Sequence, residues 1–255
     1  MSIRLSLSAC LLLTALVVPG HANGQGRGGR AGAAGSAQTG RGGTLRDVTG
    51  YWVSVVAEHW HLRMLVPPKG NFEMLPLNPE ARRIANAWDP ARDEASGEQC
   101  RSYGAAMIMR VPGRLHIQWA DDNTLRVDID SGTQTRLFHF GGSVPAAQAP
   151  AWQGYSVAAW EPAPRGGGAG DLKVTTTRMR PGYLRKNGVP YSEHATLEEY
   201  FDMFSEPNGD TWLVVDSVVR DPQYLTQPYV TSVAFKKIPN GSGWDPTPCR
   251  VNQPR

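Results

Sequence analysis

No apolar run in this sequence is long enough to span a bilayer comfortably. The longest, Leu5 to Val18, is stopped by Pro19-Gly20, whereas a membrane-crossing helix needs about 20 residues. Charge of one sign is also lacking: Lys and Arg total 26 against 23 Asp and Glu, a net charge of +3. So small an excess demands no polyanionic partner, and nucleic acid is not expected. Cysteine is scarce, at 3 residues. Catalytic signatures are missing as well. There is no Gly-x-Ser-x-Gly elbow, no His-Glu-x-x-His, no phosphate loop and no dinucleotide fingerprint. Their absence argues against the common hydrolases and cofactor enzymes, and no cofactor is expected. It leaves room for a cofactor-independent lyase, isomerase or cyclase, which needs only a shaped pocket and one or two tuned acids or bases.

What is present speaks first of export. Arg4, the apolar run and the small residues around Gly20-His21-Ala22 read as a signal peptide over 1–22. Leu7-Ser8-Ala9-Cys10 matches a lipobox by letter, but a membrane-inserting stretch must precede the modified cysteine, and here most of it follows. Residues 23–43 are Gly-rich and hold no apolar side chain larger than Ala. They cannot bury enough surface to offset chain entropy and read as a flexible linker. Arg27, Arg30 and Arg41 lend it charge, which a solvated tether explains without an RNA-binding role. The body, 44–255, has ample length for one domain. The mature protein is therefore expected in the periplasm or outside the cell, with no membrane anchor after signal cleavage. Its oligomeric state is left open. With Cys10 removed, Cys100 and Cys249 remain, and an even pair in an oxidising compartment reads as a disulfide. Closing so long a loop would in chain-entropy terms contribute about 5 kcal/mol.

The body is patterned for strands. "GYWVSVVAE" (50–58) is rich in β-branched and aromatic residues, and "HLRMLV" (61–66) reads as its continuation up to Pro67-Pro68. One helix stands out near 79–88, with Asn78 as N-cap, Pro79 at N1 and Ile84, Ala85 and Trp88 as its stripe. The following "WDPARDEASGEQC" reads as a polar loop. "RLHIQW" (114–119), "TLRVDID" (124–130) and "TQTRLFHF" (133–140) alternate apolar and polar residues and form a meander. Further strands are read at 153–161, 171–179, 195–204, 210–219 and 229–238, with a loop tip at 166–170 and a turn-rich stretch around Asn187-Gly188. Leu197, Tyr200, Phe201 and Phe204 also fit a helix, but the Pro207-Asn208-Gly209 turn and the β-branched run after it favour a hairpin. Roughly eight to ten antiparallel strands with one short helix predict a mainly β protein, a barrel or strongly curved sheet.

Gly50-x-Trp52 at the head of the first strand resembles the Gly-x-Trp signature of lipocalins and other calycins. The resemblance implies a calycin-like barrel that holds a small molecule. The chain as a whole resembles a group of bacterial secreted proteins of unknown function, through runs such as "RMLVPPKG", "YGAAMIMRVPGRL", "QTRLFHF", "RKNGVPYS" and "DPQYLTQPYVTS". That second resemblance brings no activity with it.

The candidate chemistry follows from the faces of the strands. His59 and His61 flank Trp60 in "EHWHLR", and on a strand both imidazoles would share a face. A zinc site needs a third ligand; Glu58 would face away, Glu73 lies beyond Pro67-Pro68, and only a remote histidine such as His116, His139 or His194 could complete it. The pair therefore reads as polar surface, and no metal is expected. His116 forms a polar row with Arg114 and Gln118. Arg136 and His139 fall on opposite faces of one strand. Tyr191 follows the Asn-Gly turn with Glu193 and His194. Glu199 lies on the apolar face of Leu197, Phe201 and Met203, and Asp216 shares a face with Trp212, Val214 and Val218. A carboxylate in apolar company is either functionally tuned or simply paired, as Arg136 with Glu199 would be. Two functional readings result. In the first, an exported protein binds a small, partly apolar molecule in the barrel, with Trp52, Trp60, Arg63, Trp119 and Trp212 as its lining. In the second, His116, His139, Tyr191, Glu199 and Arg136 converge inside the same barrel as the catalytic groups of a lyase or isomerase.

Overall fold

The computed structural model describes residues 46–161 and 170–255. The expected signal peptide, the linker and most of the loop tip at 166–170 lie outside them. Nine strands close into one barrel: β1 Gly50–Val55, β2 Arg114–Asp121, β3 Thr124–Ile129, β4 Gln134–Phe140, β5 Tyr155–Trp160, β6 Leu172–Thr177, β9 Thr196–Ser205, β10 Thr211–Arg220 and β11 Tyr229–Ile238. The short β7 Gly182–Arg185 and β8 Val189–Tyr191 form a separate hairpin around Asn187-Gly188. β1 pairs with both β2 and β11, so the sheet has no open edge. The mainly antiparallel barrel is thus as the alternation predicts, with one exception: β4 and β5 run parallel, Phe138 opposite Ser156. A parallel neighbour needs a crossover rather than a tight turn, and the Pro- and Ala-rich stretch 141–154 supplies it.

Period-2 alternation sorts the side chains. Leu115, Ile117, Leu125, Val127, Phe138, Val174, Leu213, Val215, Val233 and Phe235 point inward and pack with Trp52 into one buried cluster. The segment 196–205 is a strand, as its turn implies. It pairs with β10 from Thr196↔Arg220 to Ser205↔Thr211, and those ladder bonds outweigh its helical spacing. A second apolar cluster covers one end of the barrel. Leu197, Val219 and Tyr229 on the barrel strands meet Leu184, Val189 and Tyr191 of the small hairpin, and Ala81 and Ala85 of the helix α2. That helix follows a short turn, α1 Trp60–Arg63, and spans Pro79–Ala87 close to its expected bounds. The Asn78 Oδ1 accepts the Ala81 N–H at 2.9 Å, and Pro79 occupies the first turn.

Two expectations about helices need correction. Residues 61–66 do not continue β1. The chain turns at His59, whose φ is 45°, and coils into α1. The dense run of β-branched residues ends at Val56, and Ala57, Glu58, Leu62, Arg63 and Met64 are all good helix formers. The stretch taken as a polar loop holds the helix α3 Pro90–Ala95, with Asp89 accepting the Ala91 N–H at 3.1 Å. After a 3₁₀ turn at Gln99–Tyr103 comes α4, Ala105–Ile108. Cys100 and Cys249 are bonded, their Cα atoms 5.1 Å apart, and close a separation of 149 residues. Among the described residues no helix is long and apolar enough to cross a membrane.

Candidate functional site

Among the described residues, the inside of the barrel holds one charged pair. Arg136 on β4 and Glu199 on β9 face each other across it, both shut from solvent. The guanidinium donates from Nη1 to Glu199 Oε1 at 2.9 Å and from Nη2 to Oε2 at 2.6 Å. Nη2 also reaches the Thr176 hydroxyl at 3.3 Å, which lies 2.8 Å from that of Ser156. Phe138 lies 4.9 Å from the guanidinium carbon. The bidentate geometry satisfies the carboxylate with the group opposite it. These two groups therefore behave as the paired alternative predicts.

The outside of the same wall is arranged differently. Strand pairing sets Tyr51 opposite His116, His116 opposite Asp128, and Asp128 opposite Thr135. One transverse row of outward side chains therefore crosses β1, β2, β3 and β4. The Tyr51 and His116 rings stack, with centroids 4.1 Å apart and planes 4° from parallel. Asp128 accepts from Arg126 Nε on both oxygens, at 3.0 and 2.8 Å, and from the Thr135 hydroxyl at 2.6 Å. Burial works to raise the Asp128 carboxyl, but Arg126, Thr135 and the nearby His116 outweigh it and hold the group below its ordinary range. The C-terminal segment forms the other wall. Trp244 meets Tyr51 edge-on at 6.3 Å, and Gly241 lies close against the Tyr51 ring. That segment is pinned in place. The Thr247 N–H donates to Asp130 O at 2.9 Å, the Thr133 hydroxyl donates to Thr247 O at 2.9 Å, and Cys249 is bonded to Cys100. Between row and tail lies a cleft of about 520 Å³, also lined by Gln134 and Pro246.

The structure does not bring the five catalytic candidates together. Only Arg136 and Glu199 meet. His116 stands in the outer row. His139, also outward, stacks on Tyr155 at 4.5 Å, and burial lowers its pKa against the opposing pull of Asp121. Tyr191 belongs to the capping cluster, where burial pushes its phenol up and its hydroxyl has no hydrogen-bond partner among the described residues. The lining candidates are equally dispersed. Trp52 is core, its indole N–H donating to Val48 O at 3.0 Å. Trp119 packs on Phe140 at 5.3 Å. Trp212 is half-buried on β10, its face of the strand directed outward with the exposed Asp216. Trp60 is 58% exposed on α1. Arg63 is buried below it, pairing with Glu58 and donating to Arg110 O at 3.0 Å.

His59 and His61 share no strand face, because neither is on a strand. Glu73, placed out of reach by the sequence spacing, lies 3.3 Å from His61 Nε2, since the chain after Pro67-Pro68 folds back. Among the described residues no group of three His, Cys, Asp or Glu is placed to hold a metal ion. No family model, no curated protein and no solved structure matches this chain.

Tyr51, Asp128, Thr135 and Trp244 are the cleft residues that sequence reasoning passed over. The alternation already places Tyr51 on the face opposite Trp52, and Asp128 opposite Val127. What it lacks is the register that aligns four strands, and the return of the tail.

Proposed function

We propose that this is an exported binding protein for a small, partly apolar, hydroxylated ring of the sugar type, held in the cleft on the barrel wall. The observation that carries the reading is the transverse row Tyr51–His116–Asp128–Thr135 facing Trp244. An aromatic face suits the C–H face of a sugar ring. A carboxylate beside a guanidinium offers acceptors and donors together, as neighbouring hydroxyls require. A concave site with apolar walls and few converging polar groups is the usual form of a small-molecule site. Export is supported by the leader-like N-terminus and by the Cys100–Cys249 bond. The Gly50-x-Trp52 start, with Trp52 buried at the foot of a closed barrel, supports kinship with the calycins. Unlike the ligand site of that resemblance, the cleft lies outside the wall, because the inward side chains pack against one another.

The reading is tested by titrating the protein with a panel of monosaccharides and aryl glycosides, followed by calorimetry and by the Trp244 indole signal in NMR spectra. Saturable binding by at least one member is expected, and Tyr51→Ala or Trp244→Ala should weaken it at least about tenfold, or 1.4 kcal/mol. Absence of binding across the panel, or binding indifferent to both substitutions, overturns it.

A further inference from the structure

A second concavity lies at the helical cap, built from residues that share nothing with the cleft on the barrel wall. Trp88 follows α2 and meets Tyr183 of β7 nearly at a right angle, their centroids 6.1 Å apart and planes at 75°. The two rings form a corner that is locked from behind. Asp93 of α3 is buried and accepts the Trp88 indole N–H at 2.8 Å, the Tyr183 hydroxyl at 2.8 Å and Arg101 Nη1 at 3.2 Å. Gly188 lies directly under the indole, where any Cβ would collide with it, and its φ of +80° suits glycine alone. Ile84 and Ala87 of α2 add an apolar wall, and the concavity, open to solvent on one side, measures about 270 Å³.

Arg83, Arg92 and Arg101 line this corner with Asp89 and Asp93, and each arginine has an acid partner: Glu80, Asp89 and Asp93 in turn. Asp93 is buried and its three hydrogen bonds are all to protein groups, so it serves to hold the corner together. Arg101 is fixed over the Tyr183 ring at 5.7 Å. The other two arginines are exposed, and each pairs only with an acid three residues before it on its own helix. Arg83 donates to Glu80 twice, from Nε at 2.8 Å and from Nη2 at 2.6 Å, whereas Arg92 meets Asp89 only at 3.6 Å. Exposed pairs within one helix turn are screened by salt, so a ligand carboxylate can compete for both guanidinium groups, most readily for that of Arg92, and be gripped by two parallel hydrogen bonds. A cationic ligand would suit the aromatic rings, but it would have to displace an arginine, since Glu80, Asp89 and Asp93 are each already paired.

We infer that this corner is a second binding site, for a small aromatic carboxylate whose ring lies between Trp88, Tyr183 and Ile84 and whose anionic end meets Arg83 and Arg92. The space admits one ring and not an extended chain. The site is independent of the proposed cleft function, since no lining residue is common to both.

The test uses the full chain, with benzoate as probe and benzamide as its uncharged counterpart. The Trp88 indole N–H signal is identified by its loss in Trp88→Phe. Benzoate should shift that signal saturably, and benzamide should bind at least about tenfold more weakly. The double variant Arg83→Gln/Arg92→Gln changes only exposed side chains and should unfold as the parent does, while losing at least about tenfold in benzoate affinity. Equal binding of benzoate and benzamide overturns the inference. So does unchanged affinity in the double variant, a benzoate shift at Trp244 instead of Trp88, or no shift at all.

Discussion

Two arginine–carboxylate pairs of almost the same separation sit on opposite sides of one barrel wall. Arg136 and Glu199 are 2.6 Å apart inside it, with side chains 0% and 1% exposed; Arg126 and Asp128 are 2.8 Å apart outside it, at 46% and 18%. Coulomb attraction at these distances is many times stronger in the dry interior than at a wet surface, and so is the penalty for leaving either partner alone. The inner pair is therefore bound to itself. The outer pair is partly open to solvent, through the half-exposed Arg126, and adjoins stacked aromatic rings. Position across a single strand thickness separates a structural pair from a candidate recognition pair.

The largest expected effect breaks the inner pair. Glu199→Ala leaves Arg136 buried and uncompensated, and should destabilise by about 3–5 kcal/mol in urea unfolding. Replacing both, as Arg136→Met with Glu199→Leu, should recover most of that loss. A single variant no less stable than the parent would show that the interior admits water.

Another buried cation sharpens the contrast, because it has only neutral partners. Lys186 is buried, donating from Nζ to the Tyr103 hydroxyl at 2.6 Å and to Gln253 O at 2.7 Å, with no ion pair among the described residues. Burial pushes its ammonium down from 10.5 to about 7. The folded value lies below the unfolded one, so between about 7 and 10.5 the unfolded chain holds more of the proton. Stability from this residue should therefore rise with pH across that window, by up to about 1.4 kcal/mol per unit, with the full penalty present below it. Urea unfolding at about pH 6 and about pH 9 should show Lys186→Met stabilising the protein at the lower pH and flattening this rise. Parallel pH profiles for variant and parent would refute the assignment.

The smallest expected effect on stability comes from the outer pair. Asp128→Ala should cost under about 1 kcal/mol in the same unfolding measurement, since exposed pairs contribute little. A cost comparable to that of Glu199→Ala would erase the distinction between the two faces. Its larger consequence should be weakened binding of whichever ring the cleft accepts.

Much of the fold was readable locally. Asn78-Pro79 and the stripe after it mark α2. The clean alternation of 114–140 marks the meander and tells which side of each strand is apolar. The same period puts Arg136 and Glu199 on inward faces, which is why their pairing could be anticipated from residues 63 positions apart. The failures are local conflicts settled elsewhere. Residues 61–66 pass for a strand until the chain turns at His59, and the fold-back after Pro67-Pro68 brings Glu73 to His61. The crossover before β5, and hence the parallel pair it makes, is invisible in strand patterns because nothing in a strand's own sequence states its neighbour's direction.

The strand faces, the capped helix and the burial of the apolar alternates are legible along the chain, because each depends on side chains a few residues apart and on the fixed periods of strand and helix. Which outward residues become neighbours is set by long-range packing. Tyr51, His116, Asp128 and Thr135 align only through the pairing of four strands, and Trp244 reaches them only because the tail is pinned to the barrel. Trp88, Asp93 and Tyr183 likewise meet through packing of distant segments. A one-residue change of register would turn each strand's outward set inward, so that choice rests with the closure of the whole barrel and not with any one strand.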